Sequence, residues 1–519
     1  MYFSKRELKK YLRITWIDAI LLSILVFWNF LLFNFFSTTF QTASESWQEP
    51  LLAKEMIYKK KLEIGGYRNF MYGPFVPYLI VLFYHIFKNF VDATNFLYFF
   101  LMIIGTIGYY LSFKTIFKNR SIAFMIAFIT FLIPLNFKYF AVLREKTPLG
   151  ISLIPYVFLF SFISLKERKI SISLLTLFTS LILISIKLEH IIILELFLFF
   201  ILVDAFCRKS KKMFKIFILN VAIFLLFGFP LILKFLQVSL MYYSQEPLGP
   251  KVESIAEYAG YNYRGIYSIA YGPKNFRFLK NYIFSHSGLL FIFPFVIFFP
   301  PAIKRKNLKI LGFITFVFLG YLLNVLSFYA GEERYFINLY GSLIFILGAS
   351  LKVIFTSLKR NKSTVFILAF IFFTTLVYLP ILSILKHLIF QDPNLVKSLI
   401  KRFQISKNDT VIVYKKSDLF MWKTITDLEN IYDYQKIINR NTSIYESINL
   451  NLKLKKNYSY RVDLKLPTTE GRIFFIGPHL DIAENFYKWY FSNLNRTYNF
   501  IKVAEFDIPP TEVYLVEKR

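Results

Sequence analysis

PFVPYLIVLFYHIFKNF, Pro74–Phe90, is the stretch on which the topology of this chain turns. It is apolar along most of its length, yet shorter than the ~20 residues a helix needs to cross a ~30 Å hydrocarbon layer. It opens on two prolines, Pro74 and Pro77, and carries Tyr84 and His85 in mid-run, a pattern that suits a helix lying in the membrane interface. Each reading fixes the side of every loop downstream. If the stretch lies flat, five basic clusters fall on the side of the amino terminus: Lys114/Lys118/Arg120, Lys166/Arg168/Lys169, Arg208/Lys209/Lys211/Lys212, Lys304/Arg305/Lys306/Lys309 and Lys359/Arg360/Lys362. If it crosses, all five move outside. Basic loops stay in the cytoplasm, so the sequence predicts an in-plane helix.

Working outward from that stretch, the chain is 56% hydrophobic and 20% aromatic, and it breaks into apolar runs of membrane-spanning length. The first is Thr15–Phe36, preceded by Lys5, Arg6, Lys9, Lys10 and Arg13. Further runs are Asn95–Lys114, Ser121–Tyr139, Leu149–Leu165, Ile170–Ile186, Ile191–Phe206, Phe214–Phe235, Gly288–Ile303, Ile310–Tyr329, Phe336–Phe355 and Thr364–Leu385. The expectation is an all-α polytopic membrane bundle of about eleven transmembrane helices over residues 1–386. Residues 37–93 form an outer loop with in-plane helices, and residues 237–287 a second large outer loop. The basic start runs into a span too long for a signal-peptide core and has no small-residue cleavage site, which puts the amino terminus in the cytoplasm.

A net charge of +30 would suggest nucleic acid in a soluble chain, but here the cations sit between apolar runs and set orientation. The single cysteine, Cys207, excludes an internal disulfide and a cysteine metal site. After Lys386 the apolar runs stop. NDTVIVYKK, YSYRVDLKLP, GRIFFIGPHL and TEVYLVEK alternate in polarity, and a helix is expected near Leu480–Asn493. Residues 387–519 are therefore expected to be an extracytoplasmic soluble domain, mixed α/β or β-rich.

The acids collect in Gln41–Tyr78, where a carboxylate at the interface can still ionise and act as a base. EPLLAKEMIYKKKL fits an amphipathic helix on the membrane surface, with Leu51, Leu52, Met56 and Ile57 apolar and Glu55 on its solvated side. Glu45 and Glu49 read as preceding that helix beside Trp47, where helix capping competes with chemistry as their role. Arg144-Glu145-Lys146 is either a membrane stop or a second acid with cations for a phosphate. Lys187, Glu189 and His190 interrupt an apolar region. They should therefore pair, or face a cavity; a lone histidine is a weak metal signal. The tyrosine-rich loop with Lys251, Arg264, Lys274, Arg277 and Lys280 suits sugar rings and phosphates, or an interfacial belt. In Glu332-Glu333-Arg334-Tyr335 the guanidinium is a bidentate phosphate donor, or simply the partner of its neighbouring acids.

These features, taken in order, resemble the integral-membrane glycosyltransferases of the C superfamily (GT-C), in the branch of the protein O-mannosyltransferases and the lipid A aminoarabinose transferase. That branch carries an Asp-Glu pair after the first span, then A-x-x-A/S-R-E-M, then Y-x-K-P-P-L-x-Y, and later E-R-Y. This chain has Glu45-Ser46, AKEM at 53–56, YGPFVPYL at 72–79 and EERY at 332–335. It has Glu for Asp at 45, Ser46 for the second acid, Glu145 where relatives often carry Asp, and neither of the prolines that follow E-R-Y.

The resemblance implies inverting transfer of a hexosyl or pentosyl group from a polyprenyl-phosphate donor to a glycan, lipid or protein acceptor, at the outer face of a prokaryotic plasma membrane. It implies Glu45 as base, with Glu49 and Glu145 as further catalytic candidates. Arg334 would hold the phosphate, with Glu333, Tyr335, Tyr72, Lys187 and Arg144 around it. Glu189 and His190 would orient the acceptor or a divalent ion, Mg2+ or Mn2+. No protein metal cluster and no nucleic-acid partner are expected. A transporter or flippase of lipid-linked sugars, and a non-catalytic glycan-binding membrane protein, are the competing classes.

Overall fold

Asp18, near the start of helix α1 (Trp16–Phe36), is fully buried and ties that end of the helix to the far end of another. Its carboxylate accepts from Tyr110 Oη at 2.7 Å and Lys114 Nζ at 2.6 Å, both late in α4 (Phe90–Phe117), and from Arg120 Nε at 3.1 Å and Thr15 Oγ1 at 2.7 Å. Further along, Asn29 donates to Thr106 at 2.6 Å, and Phe33 packs on Phe99. Residue numbers rise in α1 as they fall in α4, so the two helices are antiparallel. Segment 37–89 therefore leaves and rejoins one end of the bundle.

The computed structural model describes residues 11, 13–36, 40–41, 44–58, 60, 75–130, 147–186, 190–233, 312–320, 341–342, 344–346, 348–349, 352, 390–391, 393–414, 416–433, 465–467, 470–480, 485–507 and 510–519. Within them, α1 is followed by β1 (Phe40–Gln41), α2 (Ser44–Tyr58), α3 (Phe75–Phe87) and α4. Then come α5 (Arg120–Thr130), α6 (Thr147–Glu167), α7 (Ile170–Ile186), α8 (Ile191–Cys207) and α9 (Lys211–Ile223), the last extended by a π turn at Phe224–Gly228. Four helices among the described residues are long and apolar enough to cross a membrane: Trp16–Phe33, Phe90–Phe117, Pro148–Glu167 and Lys211–Leu233. Side chains such as Phe27, Phe178, Phe199 and Leu226 stay exposed on the helix flanks, where only lipid can cover them. The chain is an integral membrane protein. The runs expected at Gly288–Ile303 and Thr364–Leu385 lie outside the described residues, so the expected eleven spans are not counted here.

α3 has 13 residues and rises about 20 Å, less than the hydrocarbon thickness. α4 is longer than its apolar run predicts. Asn89 caps it, accepting from Val91 N at 2.9 Å, and Lys114 stays inside because Asp18 holds its ammonium. The basic end of the bundle is closed by similar pairs. Arg168 and Arg208 both reach buried Asp204, at 3.4 and 3.0 Å, and Tyr11 donates to Glu167. α4 and α6 run parallel, linked by Ser112 Oγ to Pro155 O at 2.7 Å and by Ser152 Oγ to Leu101 O at 2.7 Å. They pack closely because Gly108 has no side chain: a Cβ there would come within 2.6 Å of the Tyr156 ring.

The tail is a mixed α/β domain. Its elements are β2 (Phe390–Gln391), α10 (Pro393–Phe403), β3 (Thr410–Val413), α11 (Lys416–Ile425), β4 (Ile431–Asp433), β5 (Ile473–Gly477), α12 (Asn485–Leu494), β6 (Tyr498–Asp507) and β7 (Pro510–Lys518). Five strands lie in the order β4-β3-β5-β7-β6, with β3 parallel to β4 and β5, and β7 antiparallel to β5 and β6. Strand alternation splits the core: Val411 and Val413 face α10 and α11, while Ile412 and Phe475 face Tyr487 and Tyr490 of α12. The helix expected near Leu480–Asn493 is α12, and of YSYRVDLKLP only residues 465–467 are described. β1 pairs antiparallel with β2, joining the exit of the first span to the start of the tail.

Candidate functional site

α2 differs from its expected form in two respects. The sequence reading starts the helix after Pro50 and leaves Glu45 and Glu49 ahead of it; both lie inside it, and Pro50 is accommodated in the helix. A proline in a helix loses one hydrogen bond, a cost offset here by burial on either side, since Trp47 and Leu51 are wholly buried. Nor do its apolar residues enter lipid. Trp47, Leu51 and Leu52 join the core of the tail domain with Val396, Leu419 and Trp422, whereas Ala53 and Ile57 belong to the core of the bundle. The helix is thus clamped between two bodies. Glu55, expected on a solvated face, is buried.

The periodicity of α2 then places its acids. Residues four apart share a helix face, so Glu49 stands beside Ala53, which with Ile57 packs in the bundle core. Glu49 is only 2% exposed there. Glu45 is placed by its backbone in the first turn of α2, one turn before Glu49. The stripe 47-51-54 faces the tail. On it Lys54 Nζ, with 13% of its side chain exposed, donates to Lys423 O at 2.9 Å and Thr426 O at 2.5 Å and pairs with Asp427 at 3.1 Å. These groups end α11, so the ammonium caps the negative end of that helix. Tyr58, at the end of α2, bonds Tyr84 Oη of α3 at 2.9 Å; that bond, then burial, then the charges of Tyr84 and Asp427 push its hydroxyl up.

His190 lies at the same end of the bundle, at the start of α8. It is 1% exposed and packs over Gly150, where a Cβ would stand 3.1 Å from its Nε2. Arg144, Glu145, Lys187, Glu189, Glu333, Arg334, Tyr335 and Tyr72 lie outside the described residues. Among the described residues no group of three or more His, Cys, Asp and Glu side chains could hold a metal ion.

Sequence reasoning missed Lys54, which stood as one of several lysines on an amphipathic helix; only knowledge of where α11 ends gives it meaning. It also missed the charge pairs of the tail. Burial would raise the Asp409 carboxyl, but the Arg472 guanidinium and the backbone donors of Ser406 and Arg472 outweigh that and hold it at about 2. Burial likewise opposes, and the bonds from Lys502 and Tyr514 reverse, the shift of Glu512, which ends below the usual range.

No protein-family model matches the sequence, and no curated protein matches it. Among solved structures, the chain is similar to the crystal structure of ArnT from Cupriavidus metallidurans in the apo state. The TM-score is 0.57 at 11% identity, over 96% of this chain and 97% of that one. At that identity the likeness speaks to fold, and it spans membrane helices and tail domain together. The chain has the fold of ArnT, a lipid A aminoarabinose transferase of the GT-C glycosyltransferases.

Proposed function

We propose that the protein is a membrane glycosyltransferase that moves a sugar from a polyprenyl-phosphate donor to an acceptor hydroxyl at the extracytoplasmic face, with inversion. The observation that supports this reading is a fold shared along nearly the whole of ArnT, in which Glu49 stands beside the bundle-core residue Ala53 and the backbone of Glu45 lies one turn before it on α2.

In this reading Glu45 takes the acceptor proton as the acceptor oxygen attacks the anomeric carbon. The new glycosidic C–O bond forms as the bond to the carrier phosphate breaks, and the polyprenyl phosphate leaves as an anion that needs no general acid. Arg334 holds that phosphate, oriented by Glu333, with Tyr335, Tyr72, Lys187 and Arg144 around the headgroup. Glu145, Glu189 and His190 orient the acceptor, or a Mg2+ or Mn2+ ion where one binds. Glu45 is preferred to Glu49 because, counted back from the Glu-Met pair of AKEM at 53–56, it stands where the resembling family carries its catalytic aspartate. The competing reading, a flippase of lipid-linked sugars, would need to carry the intact donor and would release no carrier phosphate.

The test is purified full-length protein with a polyprenyl-phosphate sugar and an acceptor pool, following free carrier phosphate. Release that disappears in Glu45→Gln, with the variant folded, supports the assignment. Near-normal turnover by Glu45→Gln removes Glu45 from the role, and no release by the natural protein with any donor removes the transferase reading.

A further inference from the structure

Among the polar contacts described between the tail domain and the acid-bearing helix, those of Lys54 are directional. α2 lies between two bodies: Ala53 and Ile57 pack in the bundle core, Trp47, Leu51 and Leu52 in the tail core, and Lys54 reaches the end of α11. Apolar contacts of Trp47 and Leu51 fix how deeply the helix sits but tolerate small rotation and sliding, because dispersion and burial are not directional. Lys54 is different. Its ammonium holds two backbone carbonyls and one carboxylate at the end of α11, at 2.9, 2.5 and 3.1 Å, from a side chain only 13% exposed. Three acceptors converging on one nitrogen fix rotation about the helix axis and position along it.

The acceptors belong to a rigid part of the tail. α11 follows β3 directly and leads into β4, and its Leu419, Phe420 and Trp422 are buried in the same core as Trp47. Any turn of α2 about its axis moves residues 45 and 49 by the same angle.

We infer that Lys54 is a positioning residue: through the end of α11, the tail domain sets the rotation of α2 and hence the aim of its acids into the bundle-facing site. This rests on the transferase reading of that site, and gives the tail domain a task in the reaction apart from any binding of acceptor.

The experiment uses the full-length protein in detergent or nanodiscs, with Lys54→Met, which keeps the length of the side chain and removes its charge, and Lys54→Arg, which restores a donor. Two readouts are taken: steady-state release of carrier phosphate, and hydrogen exchange of the amides of residues 47–58. The expected result is that Lys54→Met lowers kcat about tenfold, with KM for the donor within about twofold, as small misalignment of a catalytic group does. Exchange should rise in α2 but not in β3, β5 or β7, and Lys54→Arg should recover most of both.

Wild-type kcat in Lys54→Met overturns the proposal. So does a fall in kcat accompanied by faster exchange throughout the tail sheet, because that reports general destabilisation. If the natural protein releases no carrier phosphate, the transferase reading fails by itself. The exchange data then decide the mechanical half: protection of α2 that is unchanged in Lys54→Met refutes the clamp, and protection lost only there upholds it.

Discussion

At one end of the bundle Asp18 is enclosed by Tyr110, Lys114, Arg120 and Thr15; at the other, residues 45 and 49 lie on a helix whose Lys54 reaches away to a different domain. Both ends bring carboxylates to the margin of a membrane, but they use their cations differently. Around Asp18, donors from three segments fill the oxygens, which stiffens the junction of α1, α4 and α5. A buried charge of this kind holds helices together, and removing it strands its partners. On α2 the ammonium serves the end of α11, a backbone target, and ties the helix to the tail domain. The contrast separates an acid that braces helices from acids proposed to act on a substrate.

The comparison breaks first at its largest effect. Glu45→Gln should lower transfer about a thousandfold, within the range of general-base contributions, and leave the thermal unfolding midpoint in detergent where it was. A loss of stability matching the loss of activity would make Glu45 a brace after all. Next comes the seat of α2. Trp47→Ala removes a fully buried indole from the junction with the tail and should cost about 3–5 kcal/mol of tail-domain stability, read by denaturant titration of tail fluorescence.

Asp18→Ala should cost about 3 kcal/mol, because Lys114 and Arg120 lose their partner, yet turnover per folded molecule should survive. An inactive but fully stable Asp18→Ala would erase the distinction between the two ends. The smallest effect sharpens the picture in the tail. The Asp409 carboxyl is held down at about 2, so its contribution is complete above the ordinary carboxylate value of 3.8 and is lost as pH falls through that value toward 2. Acid titration of the natural protein should lose about 1–2 kcal/mol across that window, and Arg472→Met should flatten the loss.

The sequence announced the membrane helices because lipid demands long apolar runs whatever the tertiary structure. It was less clear at their ends. α4 begins at Phe90 and ends at Phe117, beyond the expected Asn95–Lys114, because Asn89 supplies a cap and Asp18 neutralises Lys114 from another helix. In the tail, alternation marked β3, β5 and β7, but α10 and α11 are too short to stand out, and β6 carries polar residues on its open side.

Of the candidate site residues, Glu49 and His190 lie at the end of the bundle away from Asp18. What covers α2 was not legible. An amphipathic pattern states that one face must be buried without stating by what, and the cover here lies several hundred residues downstream.

That distance has a consequence for how the protein comes to life on the ribosome. Trp47 emerges early, but the surfaces that receive it, beginning at Pro393, appear roughly 350 residues later, tens of seconds at ordinary elongation rates. Until then the newborn first hairpin carries an unseated helix, completed only when the final strands have wound beside it and Phe40–Gln41 has found Phe390–Gln391. A chain cut before Pro393 would carry α2 without the core that receives Trp47 and without the carbonyls that hold Lys54, so residues translated late complete the seat of a helix translated early.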